Sequence, residues 1–173
     1  MRLVIGIVRR IAMFKFFKLL PQSPTDLLTS TLYDENSFYA RFMSDLRQCQ
    51  HEVIIESPFI TTKRLNILLP ILQRLKTQHV RVVVNTRDPE EQDCEYLKSE
   101  ARIGISSLQH LGVHVLFTGG HHRKLAILDR NILYEGSLNI LSQNKSREVM
   151  RRTESTQLAW QMARFVKIDN FIR

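Results

Sequence analysis

His122-Arg123-Lys124-Leu125-Ala126-Ile127-Leu128-Asp129, followed after a short gap by Gly136-Ser137-Leu138-Asn139, is the most informative stretch of this 173-residue chain. It reads HxKx4D and then GSxN. Three set residues at that spacing arise by chance in roughly one chain in fifty of this length, and a GSxN soon afterwards lowers the odds about a hundredfold further. Alternation along an extended strand carries His122 and Lys124 to one face, while the apolar run Leu125 to Leu128 anchors the strand in a core. An imidazole and an ammonium are thereby presented side by side.

That pair suits a phosphodiester. A fixed lysine holds the negative nonbridging oxygens through the transition state, and a neutral imidazole can attack phosphorus directly. The hydroxyl of Ser137 and the amide of Asn139, delivered by a turn that Gly136 permits, would add neutral donors to the same oxygens. An attacking imidazole also needs its tautomer fixed by a carboxylate on Nδ1. Glu148, nine residues past Asn139, is the candidate for that role, and Asp129 is expected to hold the local backbone and the lysine region together. His122, Lys124, Asp129, Asn139 and Glu148 form the expected catalytic set, with Gly136, Ser137, His121 and Arg147 as substrate contacts. His121 is expected at the pocket mouth.

Upstream of this stretch the chain alternates between helical and extended patterns. Phe38, Phe42, Met43, Leu46 and Cys49 recur at helical spacing, and a second helix from Thr61 or Thr62 carries Leu65, Leu68, Leu69, Leu72 and Leu75, with Pro70 expected to kink it. The β-branched runs Glu52 to Glu56, Val80 to Asn85 and Val113 to Phe117 read as strands, with a helical pattern through Ala101, Leu108 and Leu111 before the third. Leu125 to Leu128 and Ile132 to Tyr134 form a strand pair, and a last helix runs from about Ser155. Strands separated by helices predict an α/β domain with a mixed, mostly parallel sheet and helices on both faces.

Lysine and arginine outnumber the acids 25 to 17, for a net charge of +8. Residues 1–20 supply +5 of that without one acid, leaving +3 for the rest. The uncharged runs there are too short for a membrane span of about 20 residues, so the expected division is a basic amphipathic segment over 1–24 and a catalytic domain over 25–173. Nucleic acid is the expected partner, and residues 1–20 could also lie on an anionic membrane. Lys145, Arg147, Arg151 and Arg152 could track a phosphate backbone. Cys49 and Cys94 are expected to be reduced and buried, consistent with a cytoplasmic location. No metal site or cofactor is expected: His110 and His114 are four apart, but Gly112 interrupts a shared helical face. The acids from Asp88 to Glu95 read as a solvated loop and helix start, and Trp160 as a core residue.

The HxKx4D and GSxN elements, with Glu56-Ser57-Pro58-Phe59 as a first core strand end, resemble the phospholipase D superfamily over about residues 32–165. The resemblance implies one active site built from two such motifs. Because the chain holds a single motif, it implies a homodimer in which His122 of one copy is the nucleophile and His122 of the other the general acid, with both copies of Lys124 and Asn139 on the phosphate and no metal required. Single-motif members of this size resemble the bacterial nuclease branch, for which a helicase or other protein chain is a candidate partner. A lipid-directed phospholipase D and a non-catalytic nucleic-acid-binding module are the alternatives.

Overall fold

A computed structural model describes residues 29–142 and 145–170; the basic segment over 1–24 lies outside the described residues. Seven strands form one sheet: β1 (Ser30–Asp34), β2 (Glu52–Glu56), β3 (Arg81–Thr86), β4 (His114–Phe117), β5 (Leu125–Leu128), β6 (Ile132–Gly136) and β7 (Val149–Glu154), in the order β1-β7-β6-β5-β2-β3-β4. Among the described residues four α-helices accompany them: α1 (Phe38–Leu46), α2 (Thr62–Thr77), α3 (Glu95–His110) and α4 (Thr156–Val166). The mixed sheet is as expected, but its balance is not. Only β2–β3 and β3–β4 are parallel, while β1–β7, β7–β6, β6–β5 and β5–β2 are antiparallel. The difference comes from β1 and β7, which are polar or charged strands without the apolar alternation that marks a strand in sequence.

The central strands are buried on both faces, which is why they read as continuous apolar runs. Val53, Ile55, Val82 and Val84 point toward α1, α2 and α3, where the rings of Phe38, Phe42 and Tyr134 pack together. Ile54, Val83 and Ile127 point the other way, beneath Ala159, Ala163 and Val166 of α4. Helices therefore cover both faces, three on one and one on the other. α2 runs through Pro70. The β5–β6 hairpin turns through Asp129, Arg130 and Asn131, the first two at positive φ (48° and 52°), which matches the twist of the flanking strands.

Three residues differ from expectation. Cys94 is exposed, because it caps α3 outside that helix's buried stripe, while Cys49 is buried and its thiol is pushed up to about 12 by desolvation. Trp160 faces solvent, where the Arg130 guanidinium lies 4.8 Å from its ring centroid. Arg152, considered a phosphate contact, is in the core: its Nε donates to Asp45 at 2.6 Å beside the Tyr134 hydroxyl. Burial works to raise the Asp45 pKa, but hydrogen bonds from Arg152, Tyr134 and Arg41 outweigh it and hold the carboxyl below its ordinary range. Arg152→Met should therefore cost about 2–3 kcal/mol in urea denaturation by leaving the buried Asp45 carboxylate only Tyr134 and the half-exposed Arg41, and adding Asp45→Leu should recover part of the loss.

Candidate active site

The carboxyl ends of β2, β3 and β4 and the entry to β5 meet at one edge of the sheet, where ligands commonly bind in open α/β sheets. The connection from β4 to β5 crosses that edge. It is tied down by Thr118, whose N–H donates to Thr86 O and whose hydroxyl donates to Asn85 Oδ1, both at 3.0 Å. Gly120 turns the chain at φ 61° and donates to Glu91 Oε2. His122 then stands exposed at the edge, and Lys124 folds back on it, with Nζ 3.1 Å from His122 Nδ1 and 2.7 Å from the His122 carbonyl oxygen. Imidazole and ammonium lie side by side as the spacing predicts. With Lys124 charged, Nδ1 is the acceptor and the ring proton sits on Nε2. Burial lowers the Lys124 pKa, opposed by the negative charge of Glu148 and aided by Arg87.

His122, Lys124 and Gly136 line an open groove of about 680 Å³. Gly136 is required by close approach, since a Cβ there would lie 2.2 Å from the Val149 carbonyl oxygen. Its N–H donates to Lys124 O, so the GSxN turn is tied to the HxK strand. Ser137 exchanges hydrogen bonds with Val149, its N–H donating at 2.9 Å and its Oγ accepting at 3.1 Å, so this hydroxyl closes the loop. Asn139 sits between buried Leu138 and Ile140 and keeps its own Oδ1 buried and without a partner. The loop is held further by Leu141 N–H on Ser57 Oγ and by Tyr39 OH on Ile140 O. Glu148 ends the same loop. Its N–H donates to Glu35, and among the described residues its carboxylate makes no hydrogen bond to His122. Arg147 is exposed.

Two expected site residues belong elsewhere. Asp129 is separated from Lys124 by the whole of β5, roughly 16 Å at strand rise. There its carboxylate accepts the N–H groups of Gln50, His51 and Glu52 at 2.8 to 2.9 Å, stapling the hairpin turn to the start of β2. His121 is not at the mouth: it is 3% exposed, because the tied-down turn before it points its ring inward. Desolvation, aided by Arg123, Lys124, Arg87 and His122, pushes its pKa down to about 4, so it is neutral near pH 7.

Sequence reasoning passed over the layer beneath the histidine. Glu56, fully buried at the end of β2, forms an ion pair with Arg123 Nε at 2.5 Å and accepts from Asn85 Nδ2 at 3.1 Å. Burial drives the Glu56 pKa upward against both partners. A carboxylate ending a buried apolar strand was the available signal. Phe59 sets its ring edge-on to His122, centroids 6.5 Å apart, with the Arg87 guanidinium 5.5 Å from the Phe59 centroid. Among the described residues no three His, Cys, Asp or Glu side chains are grouped to hold a metal ion, and no helix is long and apolar enough to cross a membrane.

The sequence pattern of the family described as "Cardiolipin synthase, PLD-like domain" matches residues 42–168. No curated protein matches the chain. Among solved structures, NucT from Helicobacter pylori superposes with a TM-score of 0.63 at 15% identity, over 80% of this chain and 92% of that one. Nuc from Salmonella typhimurium, a phospholipase D family member, gives 0.62 at 14% identity, over 79% and 91%. Phosphatidylserine synthase from Haemophilus influenzae Rd KW20 gives 0.61 at 17% identity, over 83% of this chain but 38% of that one. At these identities the likeness is one of fold, and it matches most of a Nuc or NucT chain but only part of the synthase.

The burial of His121 sets a pH dependence. Its folded pKa, about 4, lies below the unfolded value of about 6.5, so the unfolded chain binds more protons between them and stability falls as pH drops from 6.5 to 4. That contribution is on the order of 3 kcal/mol. In denaturant titrations His121→Leu should flatten the pH profile over that window.

Proposed function

The chain belongs to the phospholipase D superfamily of phosphodiester-cleaving enzymes, and we propose that it is a metal-independent nuclease acting through a phosphohistidine at a site shared by two copies. The observation that carries this reading is the contact between His122 and Lys124 on an open groove. Substrate phosphate draws Lys124 off His122 Nδ1 and onto the nonbridging oxygens, where its charge counters what develops in the transition state. The ring then shifts its proton from Nε2 to the vacated Nδ1, where the carboxylate of Glu148 accepts its hydrogen bond and leaves Nε2 free as the nucleophile. His122 Nε2 attacks phosphorus as the bond to the leaving oxygen breaks, and His122 of the second copy protonates that oxygen. Water next attacks the phosphohistidine, giving its proton to the second histidine and releasing the phosphate product. Asn139 adds an amide to the phosphate.

A second copy has an apolar surface to meet. Leu32, Val149 and Phe165 are all exposed, Phe165 at 72%, and all line the same groove as His122. An exposed apolar patch contiguous with half a site fits an isologous interface, which brings both histidines to one phosphate. Nucleic acid is favoured as substrate by the open groove, by Arg151 and Lys124 on its wall, and by a likeness of fold that spans most of Nuc and NucT. The family's description and the synthase likeness support a lipid phosphodiester as the second reading.

Incubation in EDTA with single-stranded DNA, duplex DNA, RNA and phosphatidylcholine vesicles separates these readings. Cleavage of nucleic acid is expected, together with a phosphate adduct on His122 and a loss of about a thousandfold or more on His122→Ala. Hydrolysis of vesicles alone would mark a lipid enzyme, and strict dependence on Mg²⁺ would sink the mechanism. Phe165→Glu should turn a dimer into a monomer in sedimentation, with activity lost in parallel.

A further inference from the structure

A second cavity, of about 520 Å³, opens between the start of α2 and the start of α3, within the size range of small-molecule sites. It touches the active site twice. Phe59, whose ring stands against His122, forms one wall, and Ser142, whose N–H donates to the Asn139 carbonyl, forms another. The remaining apolar walls are Ile67, Leu97 and Tyr96, whose ring is left 69% exposed in the first turn of α3. Lys63, exposed, and Arg64, whose guanidinium lies 3.7 Å from the Tyr39 ring centroid, are the cations at the cavity.

The interior does not suit a phosphate. The N-terminus of α2, the natural place for an anion, is already closed by Glu100, which accepts from Thr62 N–H and Thr62 hydroxyl at 2.8 Å each. Asp93 adds a second carboxylate to the lining. What remains attractive is a flat, uncharged ring with polar edges, able to lie against Tyr96 and offer donors to the carboxylates, with its attached phosphate left outside near the cations. A nucleotide has that layout, since its base hangs one sugar away from its phosphate, and the cavity begins one aromatic ring away from His122.

We propose that this cavity seats an unpaired nucleobase adjoining the phosphate under attack, stacked on Tyr96, so that single-stranded nucleic acid is preferred over duplex. The assignment rests on the nuclease reading above. In a duplex the same base is held by pairing and stacking, and its extrusion costs a few kcal/mol.

Steady-state cleavage of a labelled single strand, of the same strand with abasic sites flanking the cleaved bond, and of its duplex tests this. Tyr96→Ala should raise KM for the intact strand about tenfold with kcat nearly unchanged, and Tyr96→Trp should restore it, because any aromatic ring can stack. The same Tyr96→Ala change should leave the abasic strand unaffected. Equal KM for wild type and Tyr96→Ala on the intact strand, or equal rates on strand and duplex, would overturn the proposal while leaving the nuclease reading in place. No cleavage of any nucleic acid overturns both. Impaired hydrolysis of phosphatidylcholine vesicles by Tyr96→Ala would instead place an acyl chain in the cavity.

Discussion

The antiparallel ladder between β2 and β5 is the joint on which this molecule is built. It pairs Glu56 with Leu125 at one end and Val53 with Leu128 at the other, joining the parallel strands β2, β3 and β4 to the antiparallel strands that follow. Through it, the residues just before β5 arrive at the carboxyl ends of the parallel strands. Both ends are locked by carboxylates. The Asp129 carboxylate takes three N–H groups at the start of β2, and Glu56 binds Arg123 at its finish. A slip of one residue would turn every side chain of β5 to the opposite face and carry His122 and Lys124 out of line with the loop that holds Asn139.

Under the proposed phosphohistidine mechanism this rigidity has a chemical use. A histidine that forms a bond to phosphorus must be held in register with the lysine that holds the oxygens, since small misplacements cost large factors in rate. Here the loop carrying Asn139 and the strand carrying Lys124 are tied by the bond from Gly136 N–H to Lys124 O, and the layer below is a closed set of Glu56, Asn85 and Arg123. His122 and Lys124 remain at the open edge, and His121 is sealed beneath as a neutral ring. Charge therefore faces the groove, while burial favours the uncharged ring below.

Much of this was legible beforehand. Strands buried on both faces announce themselves as Val and Ile runs, and helices such as α2 announce themselves by leucine spacing, because period and burial are local properties. The failures share a cause. β7 carries Arg151 and Arg152 because it lies toward the antiparallel edge, and Arg152 reads as a surface cation until folding brings Asp45 and Tyr134 to it. Asp129 looks like a site residue because it is five positions from Lys124, yet a strand spends those five positions crossing the sheet.

From the sequence alone came the His122–Lys124 pairing, the loop that carries Asn139, the α/β layering and the single copy of the motif. These follow from spacing within a few residues, where backbone geometry leaves little choice. Only the tertiary structure decided that the backbone Asp129 holds is the start of β2, far from Lys124, that His121 is buried, that Glu56 and Arg123 support the site, and that a cavity walled by Phe59 and Tyr96 adjoins it. Each of these depends on partners far apart along the chain, and which partners meet is settled by strand pairing and helix packing rather than by local pattern.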